Sequence, residues 1–205
     1  MLFSVSCPVC GTSGAAPCDQ CAAQLRPAPD LPTPDGLDEL VAALSYTGVG
    51  RELVARLKYR NARAVLPAIA DAMAALVDPA TVDAVTWAPT SAARRRERGF
   101  DQARLLARAV ARRLRRPCRS LLTREPGPPQ TGRPRRDRLA GPRFRATRHP
   151  PPRVLVVDDI VTTGATMLSA ARALKMSGAV VVKGAAAART PLKATDALSD
   201  AADDG

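Results

Sequence analysis

Two groups of residues in this 205-residue chain have types and spacings suited to chemistry. The first is a pair of pairs, Cys7-x2-Cys10 and Cys18-x2-Cys21, separated by seven residues. Each pair sets two thiolates on one tight turn, and Pro8 and Gly11 favour such turns. Two turns together complete a tetrahedral all-sulfur site of the kind that holds zinc. The spacer is shorter than the roughly 15–20 residues usual in zinc ribbons. In a reducing compartment, paired CxxC motifs favour a metal over a pair of disulfides. Four protein ligands leave no open coordination position, so the expected role of the zinc is structural. Cys118 stands far from the cluster and reads as a lone thiol.

The second group lies in residues 154–166, VLVVDDIVTTGAT. The apolar run 154–157 reads as a buried strand that delivers two carboxylates, Asp158 and Asp159, at its end. In open α/β sheets, ligands bind at that edge. Thr162, Thr163, Gly164, Ala165 and Thr166 then form a turn that opens a helix. Hydroxyls and backbone N–H groups at a helix N-terminus can surround a phosphate, and Gly164 lets the backbone approach it closely. A phosphate beside two carboxylates asks for a ligand with both an anion and a polyol, which a ribose 5-phosphate group satisfies. The run lacks the glycine spacing of a dinucleotide fold or a P-loop. It also differs from an Asp-Asp receiver site, which has no Thr-Thr-Gly-x-Thr turn.

The net charge is +12, and its placement is uneven. Residues 94–153 carry 20 Arg against 4 acidic side chains, whereas the rest of the chain is slightly acidic. A basic segment of this kind points to an anionic partner, either nucleic acid or a phosphate-rich small molecule. A single histidine, His149, gives no support to Ser/His/Asp catalysis or to a His-rich metal site. The chain has no apolar run of about 18 residues, so neither a transmembrane helix nor membrane insertion is expected. Residues 1–10 lack the pattern of a secretory signal, and a cytoplasmic location with reduced thiols is the expectation.

These groups must be positioned by a fold, and 46% apolar residues suffice for a core. Aromatics make up only 3%, so Ala, Val and Leu must build that core. Periodicity predicts helices over 50–59, over 66–77 with Leu66, Ile69, Met73 and Leu76 on one face, over 101–116 and over 164–176. Asp101 is placed to cap the third. Its apolar stripe is Leu106, Val110 and Leu114, and its wet face carries Arg104, Arg108 and Arg112. Strands are expected at 82–88, weakly at 120–123, at 154–157 and from 180 onward. Residues 27–34, with four prolines, read as a linker. Residues 90–100 read as a basic loop and 124–152 as a long irregular segment. Alternating strands and helices predict an α/β fold with a mainly parallel sheet flanked by helices.

The 154–166 run resembles the phosphoribosyl pyrophosphate (PRPP) loop of type I phosphoribosyltransferases at all thirteen positions. The likeness narrows when other segments are added. These are the four cysteines, Tyr46-x-Gly48 with Leu57-Lys58-Tyr59, and Arg98-Gly99-Phe100-Asp101-Gln102. Together they resemble the ComF family of phosphoribosyltransferase-like proteins over almost the whole chain to about residue 192. That family has Asn where this chain has Asp101, and its Asn-x-x-Gly-x-Phe pattern is poorly kept at 138–144. Pro129-Gln130 also resembles it.

The resemblance implies a type I phosphoribosyltransferase fold over 38–193, a zinc-binding module and linker at 1–30, and an acidic tail at 194–205. It implies that Asp158 and Asp159 bond the ribose hydroxyls, and that residues 162–166 hold the 5-phosphate. Arg94, Arg95, Arg96 and Arg98 become candidates for pyrophosphate contact, with Asp158, Asp159 and Arg98 as catalytic candidates. Arg133, Arg135 and Arg136 fall where the family has a mobile loop. The implied activity is phosphoribosyl transfer from PRPP with Mg²⁺. A competence role is the alternative, with single-stranded DNA or competence proteins as partners. Six aromatic residues in all make stacking platforms for single strands scarce.

Overall fold

The computed structural model describes residues 6–57, 64–125 and 141–191. The readings made for Lys58 and Tyr59, for 126–140 and for residues beyond 191 lie outside these. A parallel four-stranded sheet forms the frame, in the order β1-β6-β5-β2. Its strands are β1 (Glu39–Ser45), β2 (Ala84–Trp87), β5 (Arg153–Val161) and β6 (Val181–Arg189). A separate antiparallel pair joins β3 (Leu122–Arg124) to β4 (Phe144–Ala146). The helices are α1 (Asp19–Ala22), α2 (Gly48–Arg56), α3 (Leu66–Ala74), α4 (Ala92–Arg98), α5 (Gln102–Leu114) and α6 (Ala165–Met176). Among the described residues, no helix is long and apolar enough to cross a membrane.

The apolar run of β5 is continuous because the strand is buried on both faces. Leu155 and Val157 join Ala185 and Ala187 in a core with Leu53, Ile69, Met73, Leu106 and Val110 from α2, α3 and α5. Val154 and Val156 face the other way, toward Val182, Ala186, Leu121 and Phe144 and toward Met167, Ala170 and Leu174 of α6. The fold class is therefore the expected one, with helices on both faces of a parallel sheet.

Several boundaries differ from expectation. Helix α3 stops at Ala74, so Leu76 is 44% exposed and Val77 takes the buried place. Helix α5 stops at Leu114, where Arg115 turns left-handed. The basic loop 90–100 contains α4, whose start is capped by the Ser91 hydroxyl accepting from Arg94 N and whose end is turned by Gly99. Strand β4 lies inside the segment expected to be irregular. Strand β1 carries no strand assignment in the sequence reading, and β5 extends four residues past the expected apolar run.

The Pro-rich stretch is bonded to the sheet rather than loose. Residue Pro27 bridges antiparallel to Leu44, Ser45 N donates to Arg26 O, and Ala28 N donates to Ala43 O. The Arg189 guanidinium donates to the carbonyls of Leu31 and Pro32, each at 2.9 Å. This strap covers the β1 edge, as residues 117–119 cover that of β2 through Val85. Val9, Ala16 and Leu25 pack on the main core, so the cysteine segment is docked on the sheet domain.

The turn from β1 into α2 is tight. A Cβ on Gly50 would lie 2.5 Å from the Ser45 carbonyl oxygen. Gly→Ala inside a helix normally stabilises by up to about 1 kcal/mol. Here the sign reverses, and Gly50→Ala is expected to cost about 1–3 kcal/mol by overpacking, read as a lower midpoint in urea with unchanged slope.

Candidate functional site

The C-terminal ends of the parallel strands carry a cleft of about 260 Å³. Its walls come from the ends of β2 and β5, from α4, from the head of α5 and from β3. Strand β5 runs on through Asp158 and Asp159, which both line the cleft, and pairs with β6 to Val161. Asp159 N donates to Asp158 Oδ1 at 2.8 Å. Burial and the adjacent charge of Asp159 hold Asp158 well above the ordinary carboxylate range.

The turn after β5 begins with exposed Thr162 and Thr163. Ala165 N points at Thr163 Oγ1, 3.4 Å away. Gly164 precedes α6 with φ +78° and offers no side-chain cap, so the helix N-terminus keeps its partial positive charge open to an anion. A Cβ on Gly164 would also meet Pro34 Cγ of the strap at 3.0 Å. Of this turn, Thr166 reaches the cleft wall.

Arg94 and Arg98 line the cleft, whereas Arg95 and Arg96 are exposed and do not. Helix α4 accounts for the split, because residues four apart share a face. Four polar cleft residues, Thr90, Asp101, Gln102 and Arg124, are not among the site residues expected from the sequence. Asp101 is assigned there only as a cap, which it is: Oδ1 accepts from Arg104 N and Oδ2 from Thr90 N. Burial raises the Asp101 carboxyl despite those N–H donors. The Asp101-Gln102 dipeptide within the 98–102 motif was the signal available for both. Arg124 had none, being one arginine among many. It is half-buried, and burial and nearby Arg94 lower its guanidinium while Asp158 opposes that. Arg104 and Arg108 and Arg112 stand on the exposed face of α5, and Arg104 lies over the Trp87 ring at 5.7 Å.

The second site is the cysteine cluster. Its four Sγ atoms all lie within 4.8 Å of one another, and those of Cys10 and Cys18 are 3.5 Å apart. A zinc tetrahedron with bonds of about 2.3 Å has sulfurs about 3.8 Å apart, so the four cysteines are positioned to bind a metal. The first knuckle is closed by Gly11 N donating to Cys7 O and by Cys7 N donating to Thr12 O. The second is the start of α1, where Ala22 N donates to Cys18 O. Backbone N–H groups near Cys7 lower its thiol to about 6, whereas burial and the other three sulfurs push Cys21 up to about 12. Cys118 is apart from the cluster and half-buried.

The phosphoribosyl transferase domain family model matches residues 149–201, about a quarter of the chain. The match contains β5, the acidic pair, the turn and α6. Among solved structures, a purine phosphoribosyltransferase from Pyrococcus horikoshii Ot3 is 16% identical, over 63% of this chain and 75% of that one, with a TM-score of 0.42. No curated protein matches the chain. The parallel sheet flanked by helices and the family match over its β5–α6 unit give the chain a type I phosphoribosyltransferase fold, with a four-cysteine cluster at the N-terminal side.

Proposed function

We propose that the chain binds PRPP with Mg²⁺ and transfers the phosphoribosyl group to an acceptor, releasing pyrophosphate. On this reading residues 1–30 are a zinc module of the ComF type, 38–193 the transferase domain and 194–205 a tail. The observation that carries the proposal is the shared cleft of Asp158, Asp159, Thr166, Arg94 and Arg98. It sets hydroxyl acceptors, a phosphate turn and guanidinium groups around one ligand-sized space.

The carboxylates of Asp158 and Asp159 accept hydrogen bonds from the ribose 2′- and 3′-hydroxyls. Residues Thr162, Thr163, Gly164, Ala165 and Thr166 hold the 5-phosphate at the head of α6. Arg94 and Arg98 face the pyrophosphate and offset the charge that grows on it as the C1–O bond breaks. Asp158 and Asp159 have no salt-bridge partner among the described residues, which suits a hard cation such as Mg²⁺. Held by Asp158 and Asp159, such a cation would supply positive charge to offset that of the diphosphate. Rate acceleration then rests on positioning and preorganised charge.

Calorimetry with PRPP and Mg²⁺ tests the reading. The intact protein is expected to bind, and an Asp158→Asn/Asp159→Asn variant to lose at least about a hundredfold in affinity, two charge-assisted contacts of about 1.5–3 kcal/mol each. No binding by the intact protein, or equal binding by the variant, rejects it. A DNA-handling competence role is a second reading, favoured by the exposed stripe Arg104, Arg108 and Arg112 outside the cleft. Salt-dependent binding of single-stranded DNA that survives the double substitution would favour it.

A further inference from the structure

The turn proposed to hold the 5-phosphate is centred on Gly164, which is left-handed at φ +78°. A glycine leaves such a conformation easily, and fixing it costs more backbone entropy than fixing any other residue. Its neighbours Thr162 and Thr163 are exposed, yet Gly164 is buried. Within 4 Å of a Cβ placed on Gly164, the atoms met are Pro34 Cγ at 3.0 Å and Pro34 Cβ at 3.8 Å. The Pro-rich strap, more than 120 residues away in sequence, therefore seats one proline ring on the phosphate turn.

The strap is fastened on both sides of that ring. Before it, Arg189 is only 8% exposed and gives both terminal guanidinium nitrogens to the carbonyls of Leu31 and Pro32. Hydrogen bonds from a charged donor are about twice as strong as neutral ones. After it, Leu37 N donates to Pro34 O at 3.2 Å, and the Leu37 side chain is buried in the same core as Met167 of α6. No strap residue lines the cleft, so the strap backs the turn instead of filling the ligand's space. We infer that Pro34 is a positioning residue: fastened by Arg189, it keeps Gly164 in the conformation that aims the N–H groups of the turn at the 5-phosphate. This deepens the PRPP reading and rests on it.

The test uses the full chain with Pro34→Gly, Pro34→Val and Arg189→Met. Each is titrated by calorimetry, below its unfolding midpoint, with ribose 5-phosphate and separately with pyrophosphate plus Mg²⁺. Pro34→Gly and Arg189→Met are expected to bind ribose 5-phosphate about tenfold more weakly, because binding must then fix roughly one more residue of backbone. Their pyrophosphate affinity should stay at the parent value. Pro34→Val keeps an apolar branch against Gly164 and should bind as the parent does. Should Arg189→Met fail to fold, the two Pro34 variants decide. A strap that only stabilises the fold would lower the unfolding midpoint and leave both affinities unchanged, which overturns the inference and leaves the PRPP reading standing. Tighter ribose 5-phosphate binding by Pro34→Gly, or equal losses in Pro34→Gly and Pro34→Val, also overturns it. A parent that binds pyrophosphate but not ribose 5-phosphate does the same. A parent that binds neither overturns both readings.

Discussion

Removing the metal from the four-cysteine cluster is expected to lower the midpoint of thermal unfolding by roughly 5–10 °C. The size follows from what the cluster holds in place. Its four sulfurs crowd within 4.8 Å, and only a few backbone hydrogen bonds close the two knuckles. A metal converts that crowding into four bonds, and structural zinc sites contribute folding energy outright. Without it the knuckles open, and the contacts of Val9, Ala16 and Leu25 with the main core go with them. These are partly buried side chains, so about 2–3 kcal/mol of apolar burial is at stake. A domain of this size loses about 2–4 °C per kcal/mol. The sheet domain should remain folded, because its two cores are built from the strands and α2 to α6. Metal content by mass spectrometry, a cobalt–thiolate absorption band and scans with and without chelator check this. Protein that purifies without metal and melts identically in chelator would refute it. Cys118→Ser, outside the cluster, should retain the metal.

The acidic pair and its turn were legible in the sequence because their positions are adjacent and their spacing is local. The same holds for α5, where Asp101 and the Leu106, Val110 and Leu114 stripe declare both start and buried face. Local signals for α4 were also present, in Ser91 and Gly99, but the run of arginines between them reads as solvated loop. Strand β6 was harder. Its Ala185, Ala186, Ala187 and Ala188 have high helix propensity, yet they form the centre of the sheet. Small side chains are required there because the strand is covered on both faces, by Met167 on one side and Leu53 and Ile69 on the other. That demand comes from long-range packing and leaves no trace within the segment. The cleft shows the same division. Asp158, Asp159 and Thr166 come from one contiguous run, whereas Arg124 arrives from β3 and Gln102 from α5 only through the fold.

Asp158→Asn is expected to make the protein more stable at neutral pH while weakening PRPP binding more than tenfold. The stability half follows from the state of the carboxyl. Burial first, and the charge of Asp159 second, keep Asp158 protonated to higher pH than in the unfolded chain. Between the ordinary carboxylate range and that raised value, the folded state therefore holds more protons than the unfolded one. Stability must then fall as pH rises through the window. An asparagine does not titrate, so the variant escapes that fall. The advantage should be absent below the ordinary carboxylate range, open across the window, and reach its full value above the raised one. Local geometry allows the exchange, because Asn keeps an oxygen for Asp159 N and its amide can donate to the Asp159 carboxylate. The binding half follows from the same group. On the proposed PRPP reading, an amide offers one acceptor oxygen and no charge where a ribose hydroxyl would meet a carboxylate, and a hydrogen bond to a charged group is worth about 1.5–3 kcal/mol. Thermal unfolding of parent and variant from pH 4 to 8, with calorimetry at pH 7.5, measures both halves. A variant that is less stable across the whole range, or whose advantage does not grow with pH, would show that Asp158 is not held protonated by burial. A carboxyl whose burial and acidic neighbour disfavour its charged form costs the empty fold stability as pH rises, and an asparagine at the same place removes that cost.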